Sequence, residues 1–128
     1  MSEERTWQKS KTFWEAIGHA WDGVLLFVRE QKNLKILLVL FVLAIAVALW
    51  LRLSAVEIAL IVIISAVIVA AEIINAALEE ILDITWPEYR SAVKAAKDMA
   101  AGSVLVLSLA AVVVAFLLFV PRVLELVY

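Results

Sequence analysis

The stretch AEIINAALEEILD, residues 71–83, decides how the chain is read. It closes a long apolar run, where a membrane helix is expected to stay apolar, yet it carries Glu72, Asn75, Glu79, Glu80 and Asp83. At about 100° per residue, Glu79 and Asp83 each fall within roughly 20° of Glu72, and Asn75 lies about 60° to one side. Three carboxylates and an amide therefore share one helical face. Ionisable groups at membrane level are costly and usually face a protein interior or a watery cavity, which makes the stripe a candidate functional site. The bland alternative is a solvated stripe on a helix that has already left the lipid.

The rest of the chain sets the context. Its 128 residues suit one domain, and a hydrophobic content of 66% marks an integral membrane protein. Mean hydropathy is +1.03. No basic tract interleaved with aromatics is present, so no nucleic-acid partner is expected. Without cysteine there are no disulfides or thiolate metal sites. The polar start, MSEERTWQKS, lacks the pattern of a removable signal peptide, and the first membrane span is expected to serve as the targeting signal.

Upstream of the stripe, residues 6–30 read as an amphipathic helix lying on the membrane surface. Trp7, Trp14 and Trp21 recur every seven residues, and Phe13, Ile17, Ala20, Val24, Leu25 and Val28 widen the apolar face. The first span is expected over 34–53, bracketed by Lys35 and Arg52. Leu53-Ser54-Ala55 forms a tight connection, with Ser54 and Glu57 spaced for a capping box. The second helix is expected over 55–84 and ends before Pro87, because the residue preceding proline avoids the helical region. A polar connection follows. The third membrane helix is expected over 94–120, terminated by Pro121 and Arg122.

Basic residues predict the orientation. Arg5, Lys9, Lys11, Arg29, Lys32, Lys35, Arg90, Lys94 and Lys97 fall on one side, and only Arg52 and Arg122 on the other. The N-terminus and the second connection are therefore expected in the cytoplasm. A hydrocarbon core of about 30 Å takes roughly 20 helical residues. Counted from Ser54, that places Glu72 and Asn75 at the cytoplasmic boundary, with Glu79 and Asp83 beyond it. Asp98 and Lys97 on the third span, and Glu30, Gln31 and Asn33 on the first, come out at the same level.

Carboxylates, an amide and a lysine at the water–lipid boundary suit phosphoryl transfer to a lipid. Mg²⁺ usually binds through one or two carboxylates plus nucleotide phosphates, a lysine supplies a point charge for phosphate, and a carboxylate can take the proton of an attacking hydroxyl. The glycines are Gly18, Gly23 and Gly102, so no Gly-rich phosphate loop can be built. His19 reads as a packing or interfacial residue.

The run AEIINAALEEILDI, followed by KAAKDMAAGSV, resembles the prokaryotic diacylglycerol kinase family, which includes the undecaprenol kinases. The family pattern E-x-x-N-x-x-x-E-x-x-x-D, then K-D opening the third span, is met at Glu72, Asn75, Glu79, Asp83, Lys97 and Asp98. GHAWDG (residues 18–23) and QKNLKI (residues 31–36) resemble the family's surface-helix motif and its entry to the first span. The resemblance implies an all-α homotrimer of subunits with one surface helix and three spans, its sites shared between neighbours. It implies that Glu72 is the general base toward the lipid hydroxyl and that Glu79 ligates Mg²⁺. Asn75 is implied to position groups around the γ-phosphate of ATP, Lys97 to neutralise phosphate charge, and Asp98 and Asp83 to orient or bind the nucleotide. Gln31 stands where the family commonly has a second metal-binding glutamate, with Glu30 beside it.

The expected function is thus an ATP- and Mg²⁺-dependent kinase of a lipid alcohol in the bacterial cytoplasmic membrane, its active site facing the cytoplasm. The phrases KAAKD-x-AAG and FVPRV favour undecaprenol as the substrate over diacylglycerol. Other classes are a small proton-coupled transporter and an inactive kinase relative serving as a structural subunit. A transporter of this size needs its carboxylate nearer the midplane and a fourth span.

Overall fold

A computed structural model of the chain describes residues 12–128. Among these residues every regular element is an α-helix: α1 (Phe13–Glu30), α2 (Lys32–Trp50), α3 (Ala55–Thr85) and α4 (Ser91–Val127). The last three are long and apolar enough to cross a membrane. The described residues divide into two compact units, which part between Lys32 and Asn33.

In the first unit, α1 starts with a capping box that the sequence reading did not anticipate. The Thr12 hydroxyl accepts from the Glu15 amide at 3.2 Å, while the Thr12 amide donates to the Glu15 carboxylate at 3.3 Å. The portion of the expected surface helix over residues 6–11, with Trp7, Lys9 and Lys11, lies outside the described residues, as do Arg5 and the start of the chain. The remaining apolar face, with Phe13, Trp14, Ile17, Trp21, Val24 and Leu25, is exposed, as suits a helix embedded at an interface. Phe13 and Trp14 meet edge to face, ring centroids 5.7 Å apart. Gln31, extended at φ −94° and ψ 113°, closes α1.

In the second unit, α2 ends at Trp50, three residues before the expected end of the span. The cause is Arg52, whose φ of 54° puts it in the left-handed region. The amides of Leu53 and Arg52 fold back onto the carbonyls of Ala48 (2.9 Å) and Leu49 (3.1 Å). This is the Schellman arrangement, usually built with glycine. The hydrophobic contact that accompanies it is present, since Leu53 and Ala48 are both buried in one cluster with Leu51 and Ile61. Phe41, Ala44, Ile45, Ile58, Leu118 and Phe119 pack around that cluster, so all three spans meet at the α2–α3 end.

α3 then begins with the expected capping box: Glu57 N donates to Ser54 Oγ at 3.3 Å and Ser54 N to Glu57 Oε2 at 2.6 Å. It ends as expected before Pro87, with Trp86 N donating to Leu82 O at 2.9 Å. Two expectations for the last helix are corrected. α4 opens at Ser91 rather than near Lys94, because the Lys94 amide already closes a helical turn onto Arg90 O at 3.0 Å. It also runs through Pro121 to Val127 instead of stopping there. Proline removes one intrahelical hydrogen bond, but the turn beyond it is tied down by Arg122, which reaches Glu57 of α3 at 3.4 Å and Glu125 at 3.3 Å.

The Arg52 conformation gives a direct test of the α2–α3 turn. Arg52→Gly relieves the left-handed strain and leaves thermal unfolding in detergent unchanged or raised. Arg52→Pro forces φ negative and deletes the amide bonded to Leu49, costing about 3 kcal/mol or more. Ser54→Ala costs about 1 kcal/mol through the lost cap, read in the same assay.

Candidate functional site

The stripe sits on the half of α3 remote from the α2–α3 turn. That helix is continuous from Ala55 to Thr85, so the spacing of its side chains is set by the α-helical repeat alone. From Glu72 to Asp83 the rise is about 16 Å. Glu72, Asn75 and Glu79 are half-buried, whereas Glu80 and Asp83 are exposed. Buried Ile68 lies one turn before Glu72, and buried Leu82 lies between Glu79 and Asp83. The main helix pairing of the chain is α3 against α4.

Two ion pairs organise the near end of α4. Lys97 Nζ reaches across the hairpin to Asp83 Oδ1, while Lys94 Nζ pairs along its own helix with Asp98 Oδ2 at 2.5 Å. Lys97 and Asp83 were both singled out in the sequence, but their mutual pairing was not. Lys94 was missed as a member of the group. Its spacing four residues before Asp98 was the available signal, since such residues are neighbours on a helix surface.

The other polar groups on the α3 face have no such partner. Among the described residues, neither Glu72 nor Glu79 makes a hydrogen bond or ion pair, and Asn75 Oδ1 is buried with no donor. A buried unsatisfied acceptor costs about 1–3 kcal/mol. Two half-buried carboxylates without a protein partner thus share one face with a buried amide oxygen that lacks a donor. Glu30 and Gln31, from the first unit, are the last residue and the C-cap of α1. An apolar hollow of about 290 Å³ beside the α3–α4 connection, lined by Leu82, Trp86, Arg90, Ala92, Val93 and Ala96, contains none of the stripe's polar residues.

The donor set can be tested against Mg²⁺. Among the described residues no three acidic or histidine side chains gather closely enough to hold an ion by themselves. Mg²⁺ does not require that, since it is commonly held by one or two carboxylates and completed by nucleotide phosphates and water. An unpaired Glu79 on the same face as Asn75 fits an ion that arrives with its nucleotide, and does not fit a closed structural metal centre.

The chain is similar to known proteins. Residues 18–119 match the model of the family described as prokaryotic diacylglycerol kinase. A protein of Synechocystis named diacylglycerol kinase is 34% identical over 124 residues, covering 96% of this chain and 71% of the relative. The Bacillus subtilis protein named undecaprenol kinase is 25% identical, covering 86% of this chain and 89% of its own length. The Escherichia coli protein named diacylglycerol kinase is 28% identical, covering 77% and 81%. The family match takes in most of α1, the three membrane helices up to Phe119, and every residue of the stripe, and the chain belongs to this family of prokaryotic membrane lipid kinases.

Proposed function

We propose that the chain transfers the γ-phosphate of ATP to the primary hydroxyl of a membrane lipid alcohol. We place it as a homotrimer in the bacterial cytoplasmic membrane, with the α3–α4 connection in the cytoplasm. The observation that carries this reading is the α3 face on which Glu72 and Glu79 have no partner among the described residues, in a member of a lipid kinase family. An unpaired carboxylate inside an apolar helix is hard to explain as scaffolding, because its desolvation is uncompensated.

Glu72 is the general base. It takes the proton as the lipid oxygen bonds to the γ-phosphorus and the bond to the ADP oxygen breaks. Glu72 stands nearest the middle of α3, where an acceptor anchored in lipid presents its hydroxyl. Glu79 would supply an oxygen ligand for Mg²⁺, which when bound would neutralise phosphate charge. Asn75, whose Oδ1 has no protein donor, orients groups around the γ-phosphate. Lys97 offers its ammonium to the transferring phosphoryl group, and Asp98 orients or binds the nucleotide.

For the acceptor, the Synechocystis relative named diacylglycerol kinase aligns at higher identity and over more of this chain than the Bacillus subtilis relative named undecaprenol kinase, which supports diacylglycerol. The KAAKD and FVPRV phrases favour undecaprenol, the second reading. Both acceptors present a primary hydroxyl at the head of a long apolar tail, so the carboxylate chemistry is the same for each.

Glu72→Gln is expected to abolish transfer of labelled γ-phosphate to lipid while the protein keeps its oligomeric state in detergent. Turnover retained in that variant removes Glu72 as the base. Parallel assays with diacylglycerol and undecaprenol decide the acceptor by the ratio of kcat/KM. Asn75→Leu replaces an orphaned buried acceptor by an apolar group, so its thermal stability is expected to rise by about 1–3 kcal/mol while activity falls. Loss of stability in that variant would show that Asn75 is satisfied in the folded protein.

A further inference from the structure

The ion pair joining the two helices of the α3–α4 hairpin has a role the proposed chemistry leaves open. Asp83 lies in the last turn and a half of α3, Lys97 in the second turn of α4, and residues 86–90 connect them. The Lys97 side chain is 30% exposed and that of Asp83 64% exposed. The Lys97 side chain is thus largely covered, and its ammonium reaches a carboxylate that is largely exposed. Pairs this exposed add little to stability, so holding the fold together is a poor account of it.

The neighbouring charges sharpen the point. Lys94 is committed to Asp98 and Lys97 to Asp83, so each lysine has its own carboxylate. Glu79, one turn before Asp83 on the same helix, is left without a partner. Lysine carries a flexible four-carbon stem and three rotatable donors, and it loses considerable rotamer freedom when fixed. An ammonium held by one carboxylate still has two N–H donors for phosphate oxygens.

Resting on the kinase reading above, we infer that Asp83 is a positioning residue that fixes the Lys97 ammonium across the α3–α4 hairpin for the transferring phosphoryl group, and not a ligand of the nucleotide. Fixing a donor before the charge develops favours the transition state over the bound substrate. Loss of Asp83 therefore lowers kcat and leaves the KM for ATP nearly unchanged. Its effect vanishes once Lys97 is gone.

The experiment uses the full chain in lipid-containing micelles with Asp83→Asn, Asp83→Glu, Lys97→Met and the Asp83→Asn/Lys97→Met double variant. Asp83→Asn is expected to lower kcat about tenfold or more at little change in KM for ATP. Asp83→Glu is expected to recover much of that loss, and the double variant to be no slower than Lys97→Met alone. A rise in KM for ATP on Asp83→Asn that persists in the Lys97→Met background makes Asp83 a nucleotide ligand and overturns the inference, as does an unchanged kcat in Asp83→Asn. A readout independent of turnover accompanies these. Acetic anhydride labelling, quantified by mass spectrometry, is expected to rise severalfold at Lys97 but not at Lys94 in Asp83→Asn. Equal labelling of Lys97 in both proteins overturns the pairing. Wild-type protein that phosphorylates neither lipid alcohol overturns the kinase reading instead, and the labelling result still decides the pairing.

Discussion

One continuous helix carries both the membrane span and the reactive face, and that continuity constrains everything else. The 31 residues of α3 rise about 46 Å, against a hydrocarbon core of about 30 Å. The apolar part and the polar part of α3 are therefore one rod. Glu72, Asn75, Glu79 and Asp83 inherit their angular relation from the helical repeat and their depth from the point where the apolar run starts. Because hydrocarbon offers backbone groups no hydrogen-bond partner, the rod cannot fray within the lipid, which keeps that depth fixed. The α2–α3 turn, capped by Ser54 and Glu57, is where this depth is set.

The three spans bury little against one another away from that turn. α4 contains no fully buried residue, and side chains such as Leu105, Val112 and Phe116 are exposed along it. In water such a surface would be a liability, but against acyl chains it matches its solvent. The packed cluster around Ala48 and Ile61 lies at the opposite end of α3 from the stripe. Structural rigidity and chemical availability are thus separated along one helix: the end with the closed cluster has its carboxylate at Glu57 capped and paired, and the end with the stripe leaves Glu72 and Glu79 open.

What the sequence made legible were the features encoded by local spacing. The carboxylate face, the capping box at Ser54 and Glu57, and the end of α3 before Pro87 all follow from residues within a turn or two of each other. Features that depend on a balance with tertiary contacts were not legible. Arg52 adopts a conformation favoured by glycine because burying Leu53 against Ala48 offsets the strain. Pro121 fails to stop α4 because Arg122 has a carboxylate waiting on another helix. The Lys97–Asp83 pair needs a specific hairpin closure, and no spacing rule links positions fourteen residues apart. The division of labour within the stripe, with some acids paired and others open, is for the same reason a property of the fold.

The Glu57 carboxylate is also a junction in time. Its Oε2 atom accepts both from the Ser54 amide at 2.6 Å and from the Arg122 guanidinium at 3.4 Å. A chain made from its N-terminus completes α2, the turn and the cap long before Arg122 emerges. The last helix to be synthesised therefore meets a preformed acceptor for Arg122, the residue that follows its proline. Insertion of α4 is in this sense templated by the hairpin that precedes it. The register so chosen at one face of the membrane is transmitted along α4 to Lys97 at the other.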